Sequence, residues 1–146
     1  MVNAYFKSKN PIERQLSNLA YSPFIIEGRE CLSLEGFYQG IKRSGEDSQN
    51  HVFMTFGMQA KGLSKNTKFV YFNGEKYRVG SEEHHNLIFK AQVCKYSQCE
   101  KSRNAMIKSG SSKITHKVGN DSKFYPAKVY CKHLTKIRNM ILNGEI

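Results

Sequence analysis

Apolar residues recur along this chain at two spacings, and each spacing predicts a different element. After Ser81, the positions Leu87, Ile88, Ala91 and Cys94 fall three or four residues apart, as on one face of a helix, and Ser81 stands in the capping position. Near the end, Leu134, Ile137 and Ile141 repeat the pattern, with Arg138 late in the helix and Gly144 as its stop. Ser33 caps a third predicted helix running to Lys42, whose apolar side is Leu34, Phe37 and Ile41. Ser44 to Gln49 reads as a polar loop, followed by a helix from Asn50 to Leu63 on Phe53, Phe56 and Ala60. Strand-like runs, Lys68–Phe72 and Lys76–Val79, flank Asn73-Gly74, the pair that best tolerates the positive φ values of a type I′ turn. Ser22-Pro23 predicts extended backbone before the short run Phe24-Ile25-Ile26, and Glu27-Gly28 predicts a turn. The expected fold is a single α+β domain over residues 1–146, mainly α-helical, with one small β-hairpin.

Composition narrows this picture. A chain of 146 residues fits one domain, and 12% aromatic residues supply enough buried area to order it. No apolar run reaches the length of a membrane span, and Met1–Asn10 has no apolar stretch, so a soluble, cytoplasmic domain without a membrane partner is expected. Cys31, Cys94, Cys99 and Cys131 form no C-x-x-C pair, and the five histidines form no H-x-x-x-H. Reduced thiols, no metal and no cofactor are therefore expected. Lys and Arg number 23 against 12 Asp and Glu, a net charge of +11. The excess is spread along the chain, with Lys7, Lys9 and Arg14 early and six Lys or Arg between Lys95 and Lys117. Such a domain attracts polyanions, although net charge also serves solubility.

The helix after Ser33 carries the chemistry. Glu35, Gln39 and Lys42 fall within an arc of roughly 60°, with Tyr38 at its edge, beside the apolar side. Gly36 and Gly40 form a bare strip that costs about 2 kcal/mol of helix propensity, so another segment or a ligand approaches there. The same pattern also suits an exposed pair of opposite charges with an incidental glutamine.

Ser17-Asn18, Ser22-Pro23-Phe24, Gly28, Ser33-x-Glu35-x-x-Tyr38-Gln39 and Lys42 together resemble the NADAR/YbiA-like family of N-glycosidases. Its opening motifs read approximately S-N-x-x-x-S-P-F and S-x-E-x-x-Y-Q-x-x-K. Ala60–Leu63, Gly80-Ser81, Leu87–Lys95 and Leu134–Leu142 extend the resemblance over most of the chain, in order. It implies a mainly helical domain that cleaves N-glycosidic bonds, either in phosphoribosylated riboflavin-pathway intermediates or between ADP-ribose and guanine in nucleic acid. It also implies chemistry at Glu35 and Lys42. A late acidic residue of the family, set in D-x-x-W-G, has Asp121 as its counterpart, but Trp-Gly is missing and Phe124 stands as the aromatic substitute.

Cleaving a ribosyl C–N bond develops positive charge on the sugar and negative charge on the departing nitrogen. A carboxylate such as Glu35 stabilises the first or activates water. Lys42 donates a proton, or attacks an opened ribose aldehyde if its pKa is depressed. Asn18 and Gln39 suit sugar hydroxyls or base edges; Tyr5, Phe6 and Tyr38 suit stacking; Arg14, Lys61 and Arg43 suit a diphosphate. Ser22 and Phe24 enter as members of the motif. The charge favours an ADP-ribosylated nucleic acid over a small phosphorylated ribosyl metabolite. A non-catalytic module for ADP-ribose or nucleic acid is the reading from another class. No protein partner is expected.

Overall fold

The computed structural model describes all 146 residues. The Ser33 helix, here α2, runs over Leu34–Gly40, and its cap forms as expected: Ser33 Oγ accepts the Gly36 N–H at 2.9 Å. α2 is enclosed by two helices that follow it, α3 (Glu46–Phe53) and α4 (Gly57–Lys61), and by a long helix α5 (Glu82–Gln98) capped by Ser81. α5 in turn packs on α6 (Glu100–Lys108) and on the final helix α7 (Ala127–Leu142), which buries Leu134, Ile137 and Ile141. A short helix α1 (Pro11–Leu16) rests on α6.

Phe37 of α2 is the centre of the core. Its ring stacks on Phe53 at 5.5 Å between centroids and meets the edge of Phe72 at 5.3 Å. This explains the bare strip on α2. A methyl on Gly36 would lie 2.7 Å from the Thr55 carbonyl oxygen, and one on Gly40 would overlap the Phe53 ring. The close approach is made by the protein itself, through α3 and the residues after it.

Strand content exceeds the expectation. The Asn73-Gly74 hairpin forms between β4 (Phe69–Phe72) and β5 (Glu75–Arg78), with φ of +46° and +88° at the turn. A second hairpin pairs β2 (Phe24–Ile26) with β3 (Arg29–Cys31) across Glu27-Gly28, again with both φ positive, so the turn at that point also closes a sheet. Finally, β1 (Val2–Asn3) pairs in parallel with β6 (Ile114–Thr115). The helix expected over Asn50–Leu63 is two helices displaced toward the N-terminus, and the polar loop expected at Ser44–Gln49 supplies the first turn of α3. Thr55 Oγ1 donates to the Val52 carbonyl at 2.6 Å and Gly57 takes φ +64°, which together end α3 and turn the chain before α4. Phe56, counted above as a core position, is consequently exposed.

Candidate active site

Three hydrogen bonds to backbone carbonyls assemble the site around the start of α2. The Glu35 N–H donates to the Asn18 carbonyl at 2.9 Å, the Gly57 N–H donates to the Leu19 carbonyl at 2.7 Å, and Ser33 Oγ donates to the Thr55 carbonyl at 2.8 Å. Residues 17–19, the first turn of α2 and residues 55–57 are thereby locked together. From the other side, the β1–β6 pair continues as the Ala4 N–H donating to Thr115 at 2.8 Å and as His116 Nδ1 bonded to the Ala4 carbonyl at 2.7 Å. That ladder brings Tyr5, Phe6 and Lys7 beside residues 116–125.

Between these two walls lies a cavity of about 600 Å³, a size ordinary for small-molecule sites. Glu35, Tyr38, Gln39 and Lys42 of α2 and its C-terminal turn form one side. Tyr5, Phe6, Asn18, Lys61, Asp121 and Phe124 also line it, so ten of the candidate residues converge on one hollow from segments far apart in the chain. Ser22, Phe24 and Arg14 do not line it. Ser22 is fully buried, its hydroxyl donating to the Ala20 carbonyl and accepting from Gln15 and Ser102; Phe24 is a core ring beside Phe37; Arg14 donates to the Ser8 carbonyl at 2.9 Å. Arg43 is also outside, spending its guanidinium on the Gln39 carbonyl at 2.8 Å.

Burial sets the electrostatics. It raises the Glu35 carboxyl above its ordinary 4.5, against the hydrogen bond it accepts from Gln39 Nε2 at 3.0 Å and the positive charges of Lys42 and Lys61. Burial likewise lowers the Lys42 amine below its ordinary 10.5, opposed by Glu35 and reinforced by Arg43. The amine lies over the Tyr38 ring, 4.8 Å from its centroid, and makes no ion pair with Glu35. Tyr38 is pushed up to about 12, first by burial and then by Glu35. Asp121 is exposed on the cavity wall, and its Oδ1 accepts the Ala127 N–H at 2.8 Å, so one carboxylate oxygen also holds the start of α7.

A layer behind the cavity comes from α5. His84 stacks on Tyr38 with 5.8 Å between centroids. Its Nδ1 accepts the Gly80 N–H at 2.9 Å, so the neutral ring carries its proton on Nε2, which has no acceptor; burial pulls its pKa down to about 4. Gln92 Nε2 donates to Asn18 Oδ1 at 2.9 Å, leaving the Asn18 amide N–H groups as its free polar atoms. Lys95 is fully buried; its Nζ donates to the Ser17 carbonyl at 3.1 Å and sits 4.9 Å from the Tyr96 ring centroid. Gln92 and Lys95 were readable from spacing: they follow buried Ile88 by four and seven residues, so two polar side chains share the helix's apolar register. Tyr130, which also lines the cavity, precedes Leu134 by four and so belongs to the stripe of α7. His116, Asn120 and Ser122, on the late loop, carry no such signal.

No curated protein matches the chain in sequence. Among solved structures, the fold is similar to the NMR structure of the Escherichia coli protein YbiA, with a TM-score of 0.71 at 15% identity, covering 97% of this chain and 83% of that one. At that identity the likeness is one of fold: an α+β domain of the YbiA kind. Residues 11–139 match the family described as "Bacteriophage protein GP30.3". With nearly the whole chain matched, from α1 through most of α7, the protein belongs to the bacteriophage protein GP30.3 family.

Proposed function

We propose that this chain is an N-glycosidase that hydrolyses the bond between ADP-ribose and a nucleobase, guanine above all, in nucleic acid. The observation that carries the reading is the convergence of Glu35, Gln39, Lys42, Asn18 and Asp121 on one cavity also lined by Tyr5, Phe6 and Lys61. The resemblance of its motifs to NADAR-type glycosidases and the YbiA-like fold support it.

In this reading the ribose lies against α2. As the C–N bond breaks, its electron pair leaves with the base nitrogen, and the anomeric carbon becomes cationic. Glu35, as carboxylate, faces that charge and takes a proton from the water whose oxygen bonds to the carbon. The leaving nitrogen takes a proton in exchange, and Lys42 as ammonium is the donor at hand. Burial lowers the Lys42 pKa, the direction that attack by its free amine on a ring-opened ribose aldehyde requires. Borohydride reduction separates the two routes, since only the second leaves sugar covalently on Lys42. Asn18 offers N–H donors to the sugar or diphosphate, Asp121 offers its second oxygen to a hydroxyl, and Tyr5 and Phe6 stack on a base.

The polymer is favoured by charge. The 23 Lys and Arg exceed the 12 Asp and Glu by 11, so the chain carries a net positive field that attracts a polyanion. The test is incubation with an oligonucleotide bearing ADP-ribosyl guanine and, separately, with a phosphoribosyl pyrimidine amine, with products identified by mass. Release of ADP-ribose from the first, lost by a hundredfold or more in Glu35→Gln, is expected. Turnover of the second alone transfers the activity to small metabolites. Tight ADP-ribose binding without product leaves a binding module.

A further inference from the structure

Beside the cavity the surface carries two aromatic rings that the reaction leaves unused. Tyr21 is 52% exposed and Phe56 44%, and they meet edge to face with 5.0 Å between centroids. Their position follows from the bond that joins their segments. The Gly57 N–H on the Leu19 carbonyl sets residues 19 and 57 side by side; Leu19 and Met58 line the cavity, while Tyr21 and Phe56 lie outside it. Neither ring hangs on loose chain. The Ser22 N–H donates to the Leu32 carbonyl at 2.8 Å behind Tyr21, and Phe56 is the residue from which α4 starts.

Aromatic rings of this size normally bury most of their area. Here two rings on fixed backbone stay about half exposed and present one ring face beside a ring edge, an apolar surface on which a flat partner can stack. We propose that the Tyr21–Phe56 pair is a stacking platform for a nucleobase of single-stranded nucleic acid, the neighbour of the base whose ribosyl group enters the cavity. The proposal rests on the glycosidase reading for the identity of that second base. Charge chooses a nucleic acid over an apolar protein face: Lys61 follows Met58 by three residues on α4, and Lys7 lies on the same cavity, both without a carboxylate partner. Rings for bases beside cations for phosphates are the two parts from which single-strand sites are made. Within an intact duplex the base faces are covered by their neighbours, so the platform selects a strand that is unpaired at this point.

The chain contains no tryptophan, so Phe56→Trp introduces a sole indole at the platform. Titrating that variant with unmodified oligothymidylate is expected to quench the indole fluorescence to saturation, while a blunt duplex of equal length is not. A second substitution, Tyr21→Ser in the same background, is expected to weaken the oligonucleotide about tenfold, and Tyr21→Phe is expected to retain it. Absence of quenching, equal quenching by duplex, or unchanged affinity in Tyr21→Ser overturns the proposal. So does self-association of the unsubstituted chain that Tyr21→Ser abolishes, which would make the patch a protein interface. Hydrolysis of ADP-ribosyl guanosine by the unsubstituted chain is measured separately. Turnover without platform binding refutes the platform alone, and platform binding without turnover refutes the glycosidase alone.

Discussion

Lys95→Met is expected to make the protein more stable. The Lys95 amine is fully buried, meets one carbonyl and one ring, and has no carboxylate beside it, so burial pulls its pKa from the ordinary 10.5 down to about 7. The unfolded chain therefore binds a proton at Lys95 that the native state resists over the interval from about 7 to 10.5. Wherever the unfolded state holds more protons, stability rises with pH. At pH 7 the penalty on folding is on the order of 4 kcal/mol, at about 1.4 kcal/mol for each pH unit between the two values. Methionine matches the length of the stem and packs well on an aromatic ring. The hydrogen bond lost is worth about 1 kcal/mol, and the Ser17 carbonyl keeps the Ala20 N–H at 3.2 Å. The net expectation is a gain of about 2–4 kcal/mol at pH 7, shrinking as pH rises and turning into a loss of about 1 kcal/mol or less near pH 10.5. Urea unfolding of both proteins at several pH values between 6 and 10 reads this directly. Taking the difference between the curves cancels the titration of the buried tyrosines, which are common to both. Equal stability at pH 7, or a difference that does not vary with pH, would refute the reasoning.

Other expectations follow from the same geometry. Gly40→Ala places a methyl in the Phe53 ring and Gly36→Ala places one against the Thr55 carbonyl; each should cost about 1–3 kcal/mol in chemical denaturation, Gly36→Ala the more because backbone yields less than a ring. Ser33→Ala removes both the cap of α2 and the bond to Thr55, a loss of about 1–2 kcal/mol, and under the proposed glycosidase reading raises KM as the α2 wall loosens. If the chain is the glycosidase proposed, with Glu35 acting as carboxylate, the acid limb of kcat/KM should lie above the ordinary carboxylate range, because burial raises Glu35. Glu13 is held low by the Asn3 N–H and the Ser8 hydroxyl, so the stability it contributes is present above its ordinary 4.5 and lost as pH falls further; Glu13→Gln should flatten that acid limb of the unfolding curve.

What could be read in the chain followed from local rules. The caps at Ser33 and Ser81, the Asn73-Gly74 turn and the stripes of α5 and α7 are each specified within a few residues, and all form. The face of α2 bearing Glu35, Gln39 and Lys42 was legible for the same reason, since helical spacing alone sets it. The break at Met54–Phe56 was not, because a side-chain bond from Thr55 and a left-handed glycine override an apolar spacing that continues across it. Ser22, Phe24 and Arg14 are close in sequence to Ser17-Asn18, yet β2 carries Phe24 into the core and Arg14 folds back on Ser8. The late wall was hidden for a different reason. Residues 116–122 reach the cavity through a parallel pairing between segments more than a hundred residues apart, for which neither segment carries a local signal.

That pairing has a consequence for biosynthesis. Val2 and Asn3 find their partner strand only when Ile114 and Thr115 have left the ribosome, and the Asp121–Ala127 bond waits for the chain beyond them. Until then the wall that Tyr5 and Phe6 share with residues 116–125 is incomplete, so the chamber facing Glu35 and Lys42 is not closed. Closure of the cavity thus depends on one long-range pairing that forms only after residues 114 and 115 have been made.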